Sequence, residues 1–131
     1  MLKKLLLLIA AVTGTLTALA AGGHYADISH SDLKAALASG KVALVDVNGS
    51  ASYTKGHIPG AMDFTTVKAK FAAKLPADKS ALVVAYCGGP QCMAYREAYD
   101  AAVALGYTNV KHYSGGISGW EEQGEKMEKG G

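Results

Sequence analysis

The stretch ALVVAYCGGPQCMAYREAYDAAVALG, residues 81–106, is the most informative part of the chain. Its first six residues, Ala81–Tyr86, form a short continuous apolar run, the pattern of a strand buried on both faces as in parallel sheets. Gln91–Leu105 favours helix, with Ala94, Ala98, Ala101, Ala102 and Leu105 on an inner face and Gly106 as the cap. Between them the only two cysteines, Cys87 and Cys92, flank a GGP turn. Cys87 falls at the carboxyl end of the strand, where ligands collect in open α/β sheets.

Working outward, the same alternation recurs. Ser29-His30-Ser31-Asp32 has the form of a helix start, and Leu33, Ala36 and Leu37 follow at helical spacing before Gly40. Val42–Val47 repeats the buried-strand pattern and ends at Asn48-Gly49-Ser50. After the loop segment GHIPGA, residues 65–75 read as one helix closed by Pro76, and residues 109–113 as one more strand. Strands alternating with helices predict an α/β fold, a central parallel sheet flanked by helices on both faces through right-handed crossovers. The charged tail EEQGEKMEKGG is expected to be short and flexible, with no function of its own.

The chain has 131 residues, half of them hydrophobic, which fits a single globular domain. Lys3 and Lys4, the apolar run from Leu5, and Ala18 and Ala20 in an A-x-A arrangement have the form of a secretory signal peptide. Residues 1–20 are therefore expected to be removed, leaving 21–131 as the domain. The rival reading is a membrane anchor, against which Thr13, Gly14, Thr15 and Thr17 dilute the run. Loss of Lys3 and Lys4 leaves as many Lys and Arg as the 11 Asp and Glu. With no basic cluster and a single arginine, Arg96, nucleic acid is not an expected partner, and no membrane association is expected after signal removal. Export, most simply to a bacterial periplasm, would let the two cysteines persist as a disulfide.

Three stretches in this order, LVDVNGSASYTKGHIPGAMDF, VVAYCGGPQCMAYREAYDAAVALGYTNV and HYSGGISGWEEQG, resemble the rhodanese-like domain. The resemblance runs from about Ile28 to Gly124 and implies that fold, with Cys87 as the catalytic nucleophile of a sulfurtransferase or sulfur carrier. It also marks departures. The family's usual loop carries glycine three residues and arginine five residues after the cysteine, where this chain has Pro90 and Cys92. Its strand before GHIPGA usually ends Asp-x-Arg; Asp46 matches, and Asn48 replaces the arginine. Both arginines suited to anchoring an anionic donor such as thiosulfate are absent.

The residues themselves support thiol chemistry. A thiol reacts as its thiolate, which unpaired N–H groups at a helix N-terminus favour. Gly88 and Gly89 let the backbone curl, so that the N–H groups of Gly88, Gly89, Gln91, Cys92 and Met93 could cradle a Cys87 thiolate or persulfide. Pro90 is expected to pre-set the first helical turn. For Cys92 three readings stand: a resolving thiol, a second ligand for a soft metal ion, or a small buried residue. The spacing is not the C-x-x-C of thioredoxin-type chemistry.

Asp46 is expected to orient the loop by accepting backbone N–H bonds, and Asn48 to support it. Arg96 either reaches back toward the cysteines or pairs with Asp100 one turn on. His57 is expected to hydrogen-bond within its own loop, and His24, His30 and His112 lack ligand spacing, so no metal is expected. Gly115, Gly116 and Trp120 are expected to cover one side of the site. Tyr53, Tyr86, Tyr95, Tyr99, Tyr107 and Tyr113 read as packing residues with wet tips.

The expected function is sulfur transfer through a Cys87 persulfide, with a small sulfur donor, a thiol acceptor and no cofactor. The alternatives are a thiol–disulfide or soft-metal module using Cys87 and Cys92, and a catalytically silent binding domain.

Overall fold

The computed structural model of the chain describes residues 24–131; the signal peptide expected at residues 1–20 lies outside them. Four parallel strands form the sheet: β1 (Ala43–Asp46), β2 (Met62–Asp63), β3 (Val83–Tyr86) and β4 (Val110–His112), in the order β2-β1-β3-β4. The register of the central pair sets Ala43 against Val83 and Asp46 against Tyr86. Asp27 adds a parallel bridge to His112 beyond β4. Among the described residues, no helix is long and apolar enough to cross a membrane.

Side chains alternate across a strand, and two cores result. Val83, Ala85 and Cys87 face one side with Ala43 and Val45, packed under α5 (Tyr95–Ala104). Val84, Tyr86 and Leu44 face the other, with Leu33 of α1 (His30–Ser39) and Trp120 of α6 (Gly116–Glu122). Helices therefore cover both faces, as the buried-strand pattern demands. Cys87, one residue past the end of β3, keeps the odd parity of the strand and so falls on the α5 side.

The start of α1 follows its sequence signal: the Ser29 hydroxyl accepts the Asp32 N–H at 3.1 Å. Gly40 closes the helix in the left-handed conformation, φ 70°, donating to Ala36 and Leu37 carbonyls. Leu33 is fully buried, which contributes about 2 kcal/mol of apolar burial.

Several expectations need correction. The single helix over 65–75 is three pieces, α3 (Phe64–Val67), a 3-10 turn (Lys68–Lys70) and α4 (Phe71–Lys74). The tightened middle turn lets Phe64 and Phe71 both enter the core, edge to face with ring centroids 5.1 Å apart. Three elements had no sequence signal strong enough to stand alone: α2 (Ser50–Lys55), β2 and α6. The helix after Cys92 begins at Tyr95 rather than Gln91.

The charged tail is docked. Glu128 and His57 exchange backbone hydrogen bonds of 2.9 and 2.8 Å, and the Trp120 indole donates to the Lys126 carbonyl at 2.9 Å. Met127 packs on the α1/α6 core. These contacts hold the tail across the GHIPGA segment, which its polar composition alone did not reveal.

Candidate active site around Cys87 and Cys92

The chain leaves β3 at Tyr86, and Cys87 is buried at 1% exposure beneath the loop that follows. Cys92 is half-buried and packs against the same core. The two sulfurs are joined in a disulfide, with Cα atoms 6.2 Å apart, inside the range a disulfide requires. The Cys92 N–H donates to the Gly89 carbonyl at 3.1 Å. That closes a β-turn with Pro90 in its second position, where proline's fixed φ is favoured. Pro90 thus pre-sets a reverse turn, not a first helical turn, and the turn carries Cys92 back to Cys87.

The N–H groups left for the cradle expected around Cys87 are therefore fewer, and they belong to a loop. The Cys92 N–H is consumed by its turn, and α5 begins three residues further on. Among the described residues, no hydrogen bond uses the N–H groups of Gly88, Gly89, Gln91 or Met93. Gln91 is exposed, as is Met93 at 54%.

The loop is clamped from the α6 side. The Cys87 carbonyl accepts the Ile117 N–H at 3.0 Å and the Gly88 carbonyl accepts the Ser118 N–H at 2.9 Å. Gly116 makes this approach possible. A Cβ there would lie 2.5 Å from the Cys87 carbonyl oxygen and 2.7 Å from the Gly89 nitrogen, and its φ of +59° is in the left-handed region. At the neighbouring Gly115 a Cβ would lie 2.9 Å from the Tyr113 ring. Trp120 is a core residue behind this clamp.

Asp46 is completely buried. Its Oδ1 accepts the Asn48 backbone N–H at 2.8 Å and the Asn48 side-chain Nδ2 at 3.0 Å; its Oδ2 accepts the Tyr86 hydroxyl at 2.7 Å. The Tyr86 oxygen in turn accepts the Ile58 N–H at 3.0 Å. Burial first, then the Asp46 charge and hydrogen bond, hold the Tyr86 phenol far above its ordinary range. Tyr86 is therefore a buried hydrogen-bonding residue, not one with a wet tip. A carboxylate only accepts hydrogen bonds, so Asn48 must turn its Nδ2 toward Asp46. Its Oδ1 then points at the loop, 3.5 Å from the position of a Cβ on Gly88.

The remaining candidates lie apart from the sulfurs. The Arg96 guanidinium sits over the Tyr25 ring, 4.7 Å from its centroid, and it is Tyr25 that donates to Asp100, at 3.1 Å. Neither expectation for Arg96 describes this stacking, because Tyr25 lies upstream of any recognisable element. His57 is buried, its Nδ1 2.8 Å from the Tyr53 carbonyl and its ring stacked on Tyr53. His112 is buried against Tyr95, and that burial lowers its pKa, with Asp27 acting in the opposite direction. Among the described residues, no cluster of three or more His, Cys, Asp and Glu is arranged to hold a metal ion.

Sequence reasoning missed the roles of Tyr86 and Ser118. Tyr86 had only its place at the end of an apolar run as a signal, because the register that sets it opposite Asp46 is tertiary; Ser118 had none, because α6 reaches the loop only through tertiary packing.

Comparison with known proteins agrees with this fold. The Rhodanese-like domain model matches residues 29–123. The chain is 33% identical over 104 residues to the HTH-type transcriptional regulator Rv0324 of Mycobacterium tuberculosis, covering 79% of this chain and 45% of that protein. It spans less than half the length of that curated relative. Among solved structures, the human single-domain sulfurtransferase TSTD1 superimposes with a TM-score of 0.60 at 25% identity, over 76% of this chain and 98% of that one. The Alr3790 protein of Anabaena sp. gives 0.63 at 25% identity, over 76% and 89%. A thiosulfate sulfurtransferase from Pseudomonas aeruginosa shares the fold, with a TM-score of 0.65 at 19% identity over 82% of this chain and 21% of that one. With its parallel sheet, its cysteine at the carboxyl end of β3 and a family match over most of its length, the chain belongs to the rhodanese-like domain family.

Proposed function

We propose that the protein is a sulfur carrier or sulfurtransferase that forms a persulfide on Cys87. The observation that carries this reading is the position of Cys87, at the carboxyl end of β3 under a loop whose N–H groups at Gly88, Gly89, Gln91 and Met93 have no acceptor within the described residues. Such donors favour an anionic sulfur without a charged side chain. A sulfurtransferase among the structural neighbours supports the same chemistry.

The Cys87 thiolate attacks the outer sulfur of a donor persulfide. A bond forms from Sγ to that sulfur, the donor's own S–S bond breaks, and the donor leaves as a thiolate. An acceptor thiolate later takes the outer sulfur and returns Cys87 to its thiolate. The chain acts outside the cytoplasm in this reading, supported by the signal-like N-terminus and by two cysteines placed for a disulfide. Its partners are a small sulfur donor and a thiol acceptor.

Intact mass spectrometry of the reduced protein, before and after exposure to polysulfide, tests the reading. A gain of one sulfur mass that needs Cys87, seen when Cys92 is replaced by Ser and absent from Cys87→Ser, is the expected result. A second reading, a purely thiol–disulfide module, draws on the Cys87–Cys92 bond; it predicts loss of two hydrogens in the native chain and no sulfur uptake from any donor in Cys92→Ser.

A further inference from the structure

We infer that Cys92 discharges the Cys87 persulfide as sulfide and closes the loop as the disulfide, which a dithiol then reopens by attacking Cys92. This inference rests on the persulfide reading above and puts Cys92 in the place of its external acceptor, so that the sulfur leaves as sulfide.

Three observations combine. The turn from Gly89 to Cys92 brings the second sulfur into bonding contact with the first, and both cysteines precede the first residue of α5. The same contact that makes the disulfide aims a Cys92 thiolate at the Cys87 Sγ once that atom bears a sulfane sulfur. A tethered thiol works at an effective concentration of about millimolar or more, before any gain from orientation. A free thiol must reach a sulfur attached to a residue that is 1% exposed.

The step balances. The Cys92 thiolate attacks Cys87 Sγ, a bond forms between the two cysteine sulfurs, and the bond from Sγ to the outer sulfur breaks. The outer sulfur leaves with the electron pair as hydrosulfide. The two cysteine sulfurs are oxidised and the sulfane sulfur is reduced to sulfide.

Reopening has a direction. Cys87 is buried and its backbone is clamped by Ile117 and Ser118, whereas Cys92 is half-buried beside exposed Gln91 and Met93. An external thiolate therefore reaches the Cys92 sulfur, and Cys87 is the leaving group, received by the loop N–H groups. A second thiol of the same reductant then frees Cys92, and the dithiol ends as its own disulfide.

The test mixes reduced protein, without air, with one equivalent of glutathione persulfide and follows free sulfide and intact mass. The native chain is expected to release one sulfide per chain and finish two hydrogens lighter than the reduced protein. Cys92→Ser is expected to gain one sulfur mass and hold it at least about tenfold longer, because the tethered attack is gone. Cys87→Ser is expected to gain no sulfur. A native chain that holds its added sulfur as long as Cys92→Ser does overturns the inference and leaves the persulfide reading standing. No sulfur uptake by any form, glutathione persulfide and polysulfide alike, removes the persulfide reading and this inference with it. In a second arm, glutathione is added to the oxidised native protein and the loop peptide is fragmented after an acid quench. An adduct on Cys92 is expected; an adduct on Cys87 overturns the direction of reopening.

Discussion

The Tyr86 hydroxyl donates to Asp46 at 2.7 Å across the central strand pair, between two residues that the sheet register sets directly opposite each other. Neither is exposed. The bond ties the end of β3, which launches the cysteine loop, to the end of β1, which carries Asn48 against that loop.

Tyr86→Phe removes the hydroxyl and leaves an Asp46 oxygen and the Ile58 N–H without partners in a buried site. The expected cost is about 1–3 kcal/mol, read as a lower urea midpoint with unchanged slope. The native pH dependence carries the same signature. The folded Tyr86 pKa lies above the unfolded value, so its contribution is complete below about pH 10 and is lost as pH rises beyond it. Part of the alkaline loss of stability should therefore disappear in Tyr86→Phe.

Gly116→Ala places a methyl group within 2.5 Å of the Cys87 carbonyl oxygen and within 2.8 Å of the Gly88 carbonyl carbon, at a positive φ. Both are backbone atoms and cannot rotate away. A loss of about 1–3 kcal/mol is expected, together with slower sulfur uptake at Cys87. Gly89→Ala meets only the Ser118 hydroxyl at 2.7 Å, a side chain that can turn aside, with the next neighbour 3.9 Å away. It is expected to cost less in both thermal stability and uptake rate.

Donor choice should reflect Asn48. Its amide oxygen faces Gly88, with the Asp46 carboxylate behind it, and Arg96 is stacked on Tyr25. Nothing in this set offers the bidentate, permanently charged grip that a dianionic donor favours. Initial uptake from glutathione persulfide is expected to exceed that from thiosulfate by about tenfold or more, a difference of about 1.4 kcal/mol in the barrier. Asn48→Arg is expected to narrow the ratio, as measured by mass spectrometry at matched donor concentrations.

Removal of residues 124–131 deletes the backbone pair between His57 and Glu128, the acceptor of the Trp120 indole, and Met127 from the core. A loss of about 2–4 kcal/mol is expected from an unsatisfied buried donor and lost apolar burial. Chemical denaturation of the shortened chain against the full one measures it; equal midpoints would show that the tail contributes nothing.

Much was legible in the sequence because it rests on local rules. Apolar runs of strand length separated by helical patterns dictate a parallel sheet covered on both faces, since such strands can satisfy their side chains only by burial. Ser29 and Gly40 mark the ends of α1 because capping depends on residues a turn apart. The placement of Cys87 at the end of a strand follows from the same local reading.

Other features depend on atoms far apart in the chain, and only the tertiary structure decided them. Pro90 was compatible with a helix start or a reverse turn, and the return of Cys92 to Cys87 selects the turn. The clamp of α6 on the loop, the stacking of Arg96 on Tyr25 and the docking of the tail on His57 join residues separated by 30 to 71 positions. For the clamp and the tail the physical reason is the same, and for the exposed Arg96 it is the ring that packing places beside it. A buried polar group must find a partner wherever packing supplies one, and sequence spacing carries no record of which distant group that will be.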